Sequence, residues 1–290
     1  MRNLKPFDYY EAATVKEAVE LLSLHGEKAQ VLAGGIDLIP RMREEKIKTD
    51  FIVNIQNILE LDYIDNSASN GFRFGAMVKL HTLEISKAIQ QTYPILYEAI
   101  HQIASMQTKY MGTAVGNVCV ATPASDVVTA LFALNAELMI AGAGGERTEP
   151  ISKFYIDYGR TSLKLGEIVI GVFLPAPANG TGTAFFNLVR THADIAKISV
   201  AAALLVESDV CTEARIAIGA AAPTVFRATK AEAILKKQKI NSEIINKAAE
   251  TAAEETRPIN DLRSTADYRK EMAQVLVRRA LEKALERAGA

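Results

Sequence analysis

Cysteine is almost absent from this 290-residue chain: there are two, Cys119 and Cys211, far apart in sequence. No C-x-x-C pair or Cys/His cluster accompanies them, so the chain alone cannot ligate an iron-sulfur cluster or a structural zinc ion, and any such centre would belong to a partner chain. The four histidines, His25, His81, His101 and His192, follow no metal-ligand rhythm and read as ordinary surface or half-buried side chains. Charge of one sign is also lacking. Thirty-three basic and 34 acidic side chains are interspersed along the length and leave a formal net charge of −1, which argues against a nucleic-acid or anionic-membrane partner. No apolar run approaches the roughly 18 residues that span a bilayer, and the opening MRNLKPFDYYEAATV has no apolar core of a secretion signal, so the expected compartment is the cytoplasm. No repeat of 20–50 residues is visible, which excludes a solenoid or a propeller.

What remains is a chain that is 49% hydrophobic and 23% charged, ordinary for a globular protein and long enough for two or three cores. Val15, Ala18, Val19, Leu21 and Leu22 recur at helical spacing between Thr14, an N-cap, and Gly26, a stop. Strands are expected at 29–33 and 51–55 around a charged helical segment, RMREEKIK, giving a β-α-β-like start. A strand at 72–78 precedes helices over 80–89 and over 94–104, the second opened by a proline. Helix then strand follow over 131–141, and AGAGGERTEP reads as a hairpin turn: the G-x-G-x-x-G spacing is absent and Thr-Glu-Pro opens no helix, so there is no Rossmann domain. Two prolines and two glycines after Phe173 mark a domain boundary. Beyond it come strands at 184–191, 198–206 and 214–219, and helices over 228–237, 242–256 and 266–287.

Two glycine-bearing segments could carry chemistry, 33-AGGIDLIP-40 and 112-GTAVGNVCVATPASD-126. Glycines permit positive φ and remove the Cβ that would hold a ligand away, so that backbone N–H groups can converge on an anion such as a diphosphate. Neither loop contains a basic cluster, which suits recognition by amide dipoles. Each segment alone could equally be a plain turn. Asp126, ahead of the helical run VVTALFAL, is either a helix N-cap or an acceptor for a ribose hydroxyl. Arg190 and Asp194, four apart, read as a structural ion pair or as site residues, and the Ala-rich 200–205 run as core. No Ser/His/Asp grouping or carboxylate pair can be assembled, so hard chemistry would fall to a cofactor.

With the segments TSLKLGEIVIGVFLP, FFNLVRTHADIAKISVAAAL and ARIAIGAAAPTVFRAT, these motifs resemble the FAD-binding medium subunit of the molybdenum hydroxylases, the xanthine dehydrogenase and carbon monoxide dehydrogenase family, from about residue 4 to about 285. The resemblance implies an α+β protein: a two-subdomain FAD-binding domain over 1–176, divided at about 56, and a C-terminal α+β domain over 177–290 with an antiparallel sheet and helices. It implies FAD held by a first phosphate loop, Val31, Leu32, Ala33, Gly34, Gly35, Ile36, Asp37 and Leu38, and a second, Thr113, Ala114, Val115, Gly116 and Asn117, with Ile103 and Ala104 just ahead of it. Asp126 would meet the ribitol or ribose, and Val169 would lie near the flavin. No catalytic side chain and no metal ligand is expected.

The family role is electron transfer from the [2Fe-2S] clusters of a small subunit, fed by a molybdopterin-containing large subunit, to NAD+ or another acceptor, here in oxidation of xanthine, another purine or a related heterocycle. Three departures stand out. Val115 replaces a family glycine, so that either its φ is negative or the loop is reshaped. Ala114 stands where a large apolar residue is usual, and Phe186 or Asn187 where a lysine is common. Rival expectations are a free-standing flavin oxidase and a module of the same fold that binds no flavin.

Overall fold

The computed structural model describes residues 4–66 and 71–289; Met1–Asn3, Ser67–Asn70 and Ala290, which include both outer limits of the expected domains, lie outside the described residues. The chain opens with β1 (Asp8–Glu11), α1 (Val15–His25), β2 (Ala29–Leu32), α2 (Leu38–Arg43) and β3 (Phe51–Asn54). Helix α1 starts where Thr14 Oγ1 accepts the Glu17 N–H at 3.1 Å while Glu17 reaches back to the Ala13 N–H at 2.8 Å, and it ends at Gly26 with φ +56°. The helical crossovers let the three strands pair in parallel, in the order β1-β3-β2.

A five-stranded sheet follows, built from β4 (Ile64–Asp65), β5 (Gly71–Gly75), β6 (Glu137–Gly142), β7 (Gly145–Pro150) and, later in sequence, β10 (Ile168–Pro175), in the order β4-β5-β10-β6-β7. Between β5 and β6 run six short helices, α3 (Leu80–Glu84), α4 (Lys87–Thr92), α5 (Pro94–His101), α6 (Met106–Met111), α7 (Ala114–Cys119) and α8 (Asp126–Ala133). The turn α9 (Ile151–Phe154) and the small ribbon β8 (Tyr155–Asp157) with β9 (Arg160–Thr161) lead into β10.

The last unit is a four-stranded antiparallel sheet, β11 (Thr181–Leu188), β12 (Ile198–Glu207), β13 (Val210–Gly219) and β14 (Phe226–Arg227), followed by α10 (Thr229–Leu235), α11 (Ser242–Glu254) and α12 (Ala266–Arg287). Both faces of this sheet are covered. Val200, Ala202 and Leu204 of β12 face a core shared with Ala248, Ala252 and Ala280 of the helices, whereas Ala201, Ala217 and Phe185 on the other face join the core of the five-stranded sheet with Leu96 and Leu131. This explains why 200–205 reads as unbroken apolar chain. Among the described residues no helix is long and apolar enough to cross a membrane.

Local chemistry corrects three expectations. The charged segment RMREEKIK is not itself a helix: α2 begins three residues earlier and stops at Arg43, because Glu45 adopts φ +56° and the N–H groups of Glu45 and Lys46 turn back to the carbonyls of Met42 and Arg41. The helix expected over 80–89 is two, since Ser86 caps a new one by accepting the Ile89 N–H. The second glycine segment is not loop at its start but the helix α7.

Small residues let α12 lie directly on β11. A Cβ at Gly182 would stand 1.9 Å from the Ala284 carbonyl oxygen and 2.4 Å from the Ala288 nitrogen, both backbone atoms that cannot yield locally. Gly182→Val is expected to lever the C-terminal helix off the sheet and to cost roughly 3 kcal/mol or more, read as a lowered urea midpoint.

Candidate functional site

The two glycine segments meet. Gly34 follows β2 and packs so closely on the end of α6 that a Cβ there would lie 2.4 Å from the Met111 carbonyl oxygen and 2.9 Å from Gly112 Cα. The next residue, Gly35, has φ +71°, a left-handed turn that a side chain would strain. Within the Gly34–Asp37 turn, no N–H group donates to an acceptor among the described residues. Four adjacent amides are thus unpaired beside a cavity of about 580 Å³, within the range of small-molecule and cofactor sites.

Helix α6 is held in place by a buried ion pair. Lys109 Nζ lies 2.6 Å from Glu84 Oε1 and 3.0 Å from the His101 carbonyl oxygen, and His101 Nδ1 is 2.9 Å from the same carboxylate oxygen. Burial alone would raise the Glu84 pKa, but the hydrogen bonds from Lys109 and His101 outweigh it and hold the carboxyl below the usual range. The position of the Met111 carbonyl, and with it the space left for Gly34, follows from this anchor.

Of the expected site residues, Val31, Ala33, Gly34, Gly35, Ile36, Asp37 and Leu38 line the cavity from one side, and Ile103, Thr113, Val115, Gly116 and Asn117 from another. Val169, near the start of β10, lines it too. Thr113 caps α7 by accepting the Gly116 N–H at 2.9 Å, so Val115 sits in a right-handed helical turn where a β-branched side chain is tolerated. The negative-φ alternative for that position is the one observed. Asp37 is paired with Arg41 at 3.1 Å, which leaves the turn with no free cation of its own.

Leu32, Ala104, Ala114 and Asp126 do not line the cavity. Ala114 is fully buried, and Ala104 takes φ +41° in the bend between α5 and α6. Asp126 is not the N-cap of α8; Ser125 is, accepting the Val128 N–H at 3.1 Å, and its hydroxyl also donates to Asn117 on the cavity wall. The Asp126 carboxyl is buried, with Oδ2 accepting from Asn187 Nδ2 at 2.9 Å and Oδ1 without a partner. Asn187, one of the two positions where a family lysine is expected, is thus the residue that meets Asp126. The pair Arg190–Asp194, 3.4 Å apart with Arg190 mostly exposed, is a surface ion pair.

Sequence reasoning missed one wall. Leu163, Lys164, Leu165, Gly166 and Glu167 line the cavity just before Val169. The signal was present in the Gly-Glu of TSLKLGEIVIG: Gly166 has φ +81° and a Cβ on it would stand 2.2 Å from Ser23 Oγ.

Burial pushes the Asp126 carboxyl up to about 7, against the opposing hydrogen bond from Asn187. Because the folded value lies above that of the unfolded chain, the folded state keeps a proton that the unfolded chain loses. Stability attached to this group is complete below pH 4, falls as pH rises and is gone above pH 7. Asp126→Asn is expected to flatten that fall and to stabilise the chain at pH 8 by up to ~4 kcal/mol, measured by urea unfolding across the pH range; an unchanged pH slope would show that the group does not titrate there.

The family models match the chain twice: residues 5–177 to the FAD binding domain in molybdopterin dehydrogenase, and residues 183–284 to the CO dehydrogenase flavoprotein C-terminal domain. The carbon monoxide dehydrogenase medium chain of Hydrogenophaga pseudoflava is 32% identical over 97% of this chain and 98% of its own. The xanthine dehydrogenase FAD-binding subunit of Escherichia coli O157:H7 is 29% identical over 97% of both chains. A solved structure of carbon monoxide dehydrogenase from Hydrogenophaga pseudoflava superposes with a TM-score of 0.95 at 33% identity, covering 98% of this chain and 99% of that one. Two glycine turns in backbone contact beside a cavity, on this fold and with these matches end to end, make the chain a member of the FAD-binding medium-subunit family of the molybdenum hydroxylases, an oxidoreductase subunit whose cofactor is FAD.

Proposed function

We propose that this chain is the flavin station of a three-part hydroxylase, receiving electrons from the [2Fe-2S] clusters of a small subunit, fed in turn by a molybdopterin-containing large subunit, and delivering them to NAD+ or another acceptor. The observation that carries the proposal is the contact of Gly34 with Met111 and Gly112, which sets four unpaired amides of the first turn on the cavity. Their dipoles suit the negative charge of a diphosphate, and the lining offers no competing cluster of basic side chains. Thr113 and the first turn of helix α7, as far as Asn117, would bound the same group from the opposite segment, while Val31, Ile103 and Val169 supply apolar wall. Leu32, Ala104 and Ala114 would act from behind that wall. Asp126 would act through Ser125, which holds Asn117.

Bound FAD supplies exchange between one-electron and two-electron carriers, chemistry that no side chain here can perform. The protein's share is to bind and orient it: the polar turns fix the diphosphate, and the apolar lining around Ile103 and Val169 keeps water from the rest. Residues 1–176 would form the cofactor-binding unit, in two subdomains that meet at about residue 56, and 177–290 the second unit. The substrate would be oxidised on another chain in the cytoplasm; a purine such as xanthine, or a related heterocycle, is the assignment we favour, supported by the similarity to a xanthine dehydrogenase subunit.

Purified chain is expected to be yellow with one FAD, and the native complex to contain molybdenum and iron and to reduce NAD+ with xanthine. A colourless polypeptide recovered alone overturns the electron-transfer role, and oxidation of carbon monoxide in place of purines overturns the substrate. Gly34→Ala is expected to weaken FAD retention by at least ~tenfold, because the added methyl would push the two turns apart; equal flavin content in the variant would refute their joint role.

A further inference from the structure

The wall of the cavity that sequence reasoning missed is a turn with no helix or strand of its own to hold it. Leu163 to Glu167 bridges the small ribbon to β10, and side chains of the neighbouring strand β7 pin it. Arg147, on the edge strand β7, donates from Nε and Nη2 to the two carboxylate oxygens of Glu167, each at 2.8 Å, a bidentate fork. Glu167 Oε2 also accepts the Lys164 N–H at 2.8 Å, and the Glu167 N–H returns to the Lys164 carbonyl at 3.0 Å, which closes the turn on itself. The third guanidinium nitrogen, Nη1, donates to Glu149 Oε2 at 2.6 Å, and Ser162, just ahead of the turn, donates to that same oxygen at 2.7 Å.

The geometry is over-determined. Glu149 and Glu167 are mostly buried, with side-chain exposures of 13% and 11%, so they are shielded from the water that weakens surface ion pairs. Gly142 leaves room for the Glu167 side chain, since a Cβ there would lie 2.9 Å from Glu167 Cγ, and Gly166 leaves room for Ser23 on α1. Only arginine can serve both carboxylates at once, because its planar fork presents separate donors to each, whereas a lysine ammonium is a single point charge. Without the guanidinium, two carboxylates would face each other across the turn.

We propose that Arg147 is a positioning residue for the cofactor site: through Glu167 and Glu149 it holds the 163–167 turn as a rigid wall, so that FAD enters a preformed cavity. Arg147 itself does not line the cavity, whereas every residue of the turn does. The inference rests on the proposed location of FAD in this cavity. A wall that must be ordered when the cofactor enters lowers affinity by the cost of ordering it, and the fork removes that cost beforehand.

The test uses the full chain stripped of flavin and titrated with FAD, followed by flavin fluorescence and visible circular dichroism, together with amide hydrogen exchange over 160–170. Arg147→Ala is expected to raise the FAD dissociation constant at least ~tenfold, to alter the flavin dichroism and to speed exchange at Lys164 and Glu167, with exchange in α12 unchanged. Glu167→Gln, nearly isosteric, is expected to weaken binding in the same sense. Arg147→Lys keeps the charge but cannot fork, and is expected to recover only part of the affinity. Arg279→Ala, an exposed site on α12, serves as the control with wild-type affinity. Wild-type affinity and dichroism in both Arg147→Ala and Glu167→Gln overturn the proposal; so does affinity lost in strict proportion to a global rise in exchange, which is what a purely structural role predicts. Failure of the unmodified chain to bind FAD overturns the cofactor site itself, and is seen before any variant is made.

Discussion

The contact between Gly34 and the Met111 carbonyl oxygen is the constraint on which the rest of the site depends. Backbone can approach backbone that closely only where no Cβ intervenes, and the approach converts two sequence-distant turns into one surface. Elements on either side serve to hold it. The parallel strands β2 and β3 deliver Gly34 just past the end of β2, and Gly35 then turns left-handed. On the opposite side, the buried Lys109–Glu84 pair fixes α6 and hence the oxygen that Gly34 must accommodate. Removing Glu84 would leave the buried Lys109 ammonium without its counter-ion, so the pair fixes position more than it adds net stability.

The site is organised by backbone more than by side chains, which fits a protein that binds a cofactor. The charged side chains along the cavity largely serve the frame: Arg41 neutralises Asp37, and Glu167 ties its turn to Arg147. Polar groups continue behind the wall, from Asn117 through Ser125 to the α8 cap, with Asp126 and Asn187 joining the first unit to the four-stranded sheet. That sheet is buried on both faces, so its position relative to the cavity is set by packing of Phe185, Ala201 and Ala217 against the core of the five-stranded sheet.

Much of the local structure was legible because local signals were strong. Helix α1 carries a cap, an apolar stripe and a glycine stop, and α11 and α12 carry long periodic stretches. The failures have physical causes as definite as the successes. Short helices such as α6 and α7 offer too few turns for a period to register, and α7 is announced only by Thr113 as its cap. The turn over 163–167 has no periodicity at all, since contacts with Ser23, Arg147 and Glu149 set its conformation from outside. Asp126 offered itself as the cap of α8 because it stands directly before the helical run, yet its neighbour Ser125 carries the cap.

By itself the sequence determined the fold class, the absence of any cysteine set for a cluster, the two glycine segments and the family resemblance, because these depend on residue type and short-range order. Tertiary structure alone decided that Gly34 is bare to make room for Met111 and Gly112, that Val115 is helical, and that Leu163 to Glu167 lines the cavity. Those features depend on which backbone atoms come within a few ångströms across long sequence separations, and no local propensity encodes that distance.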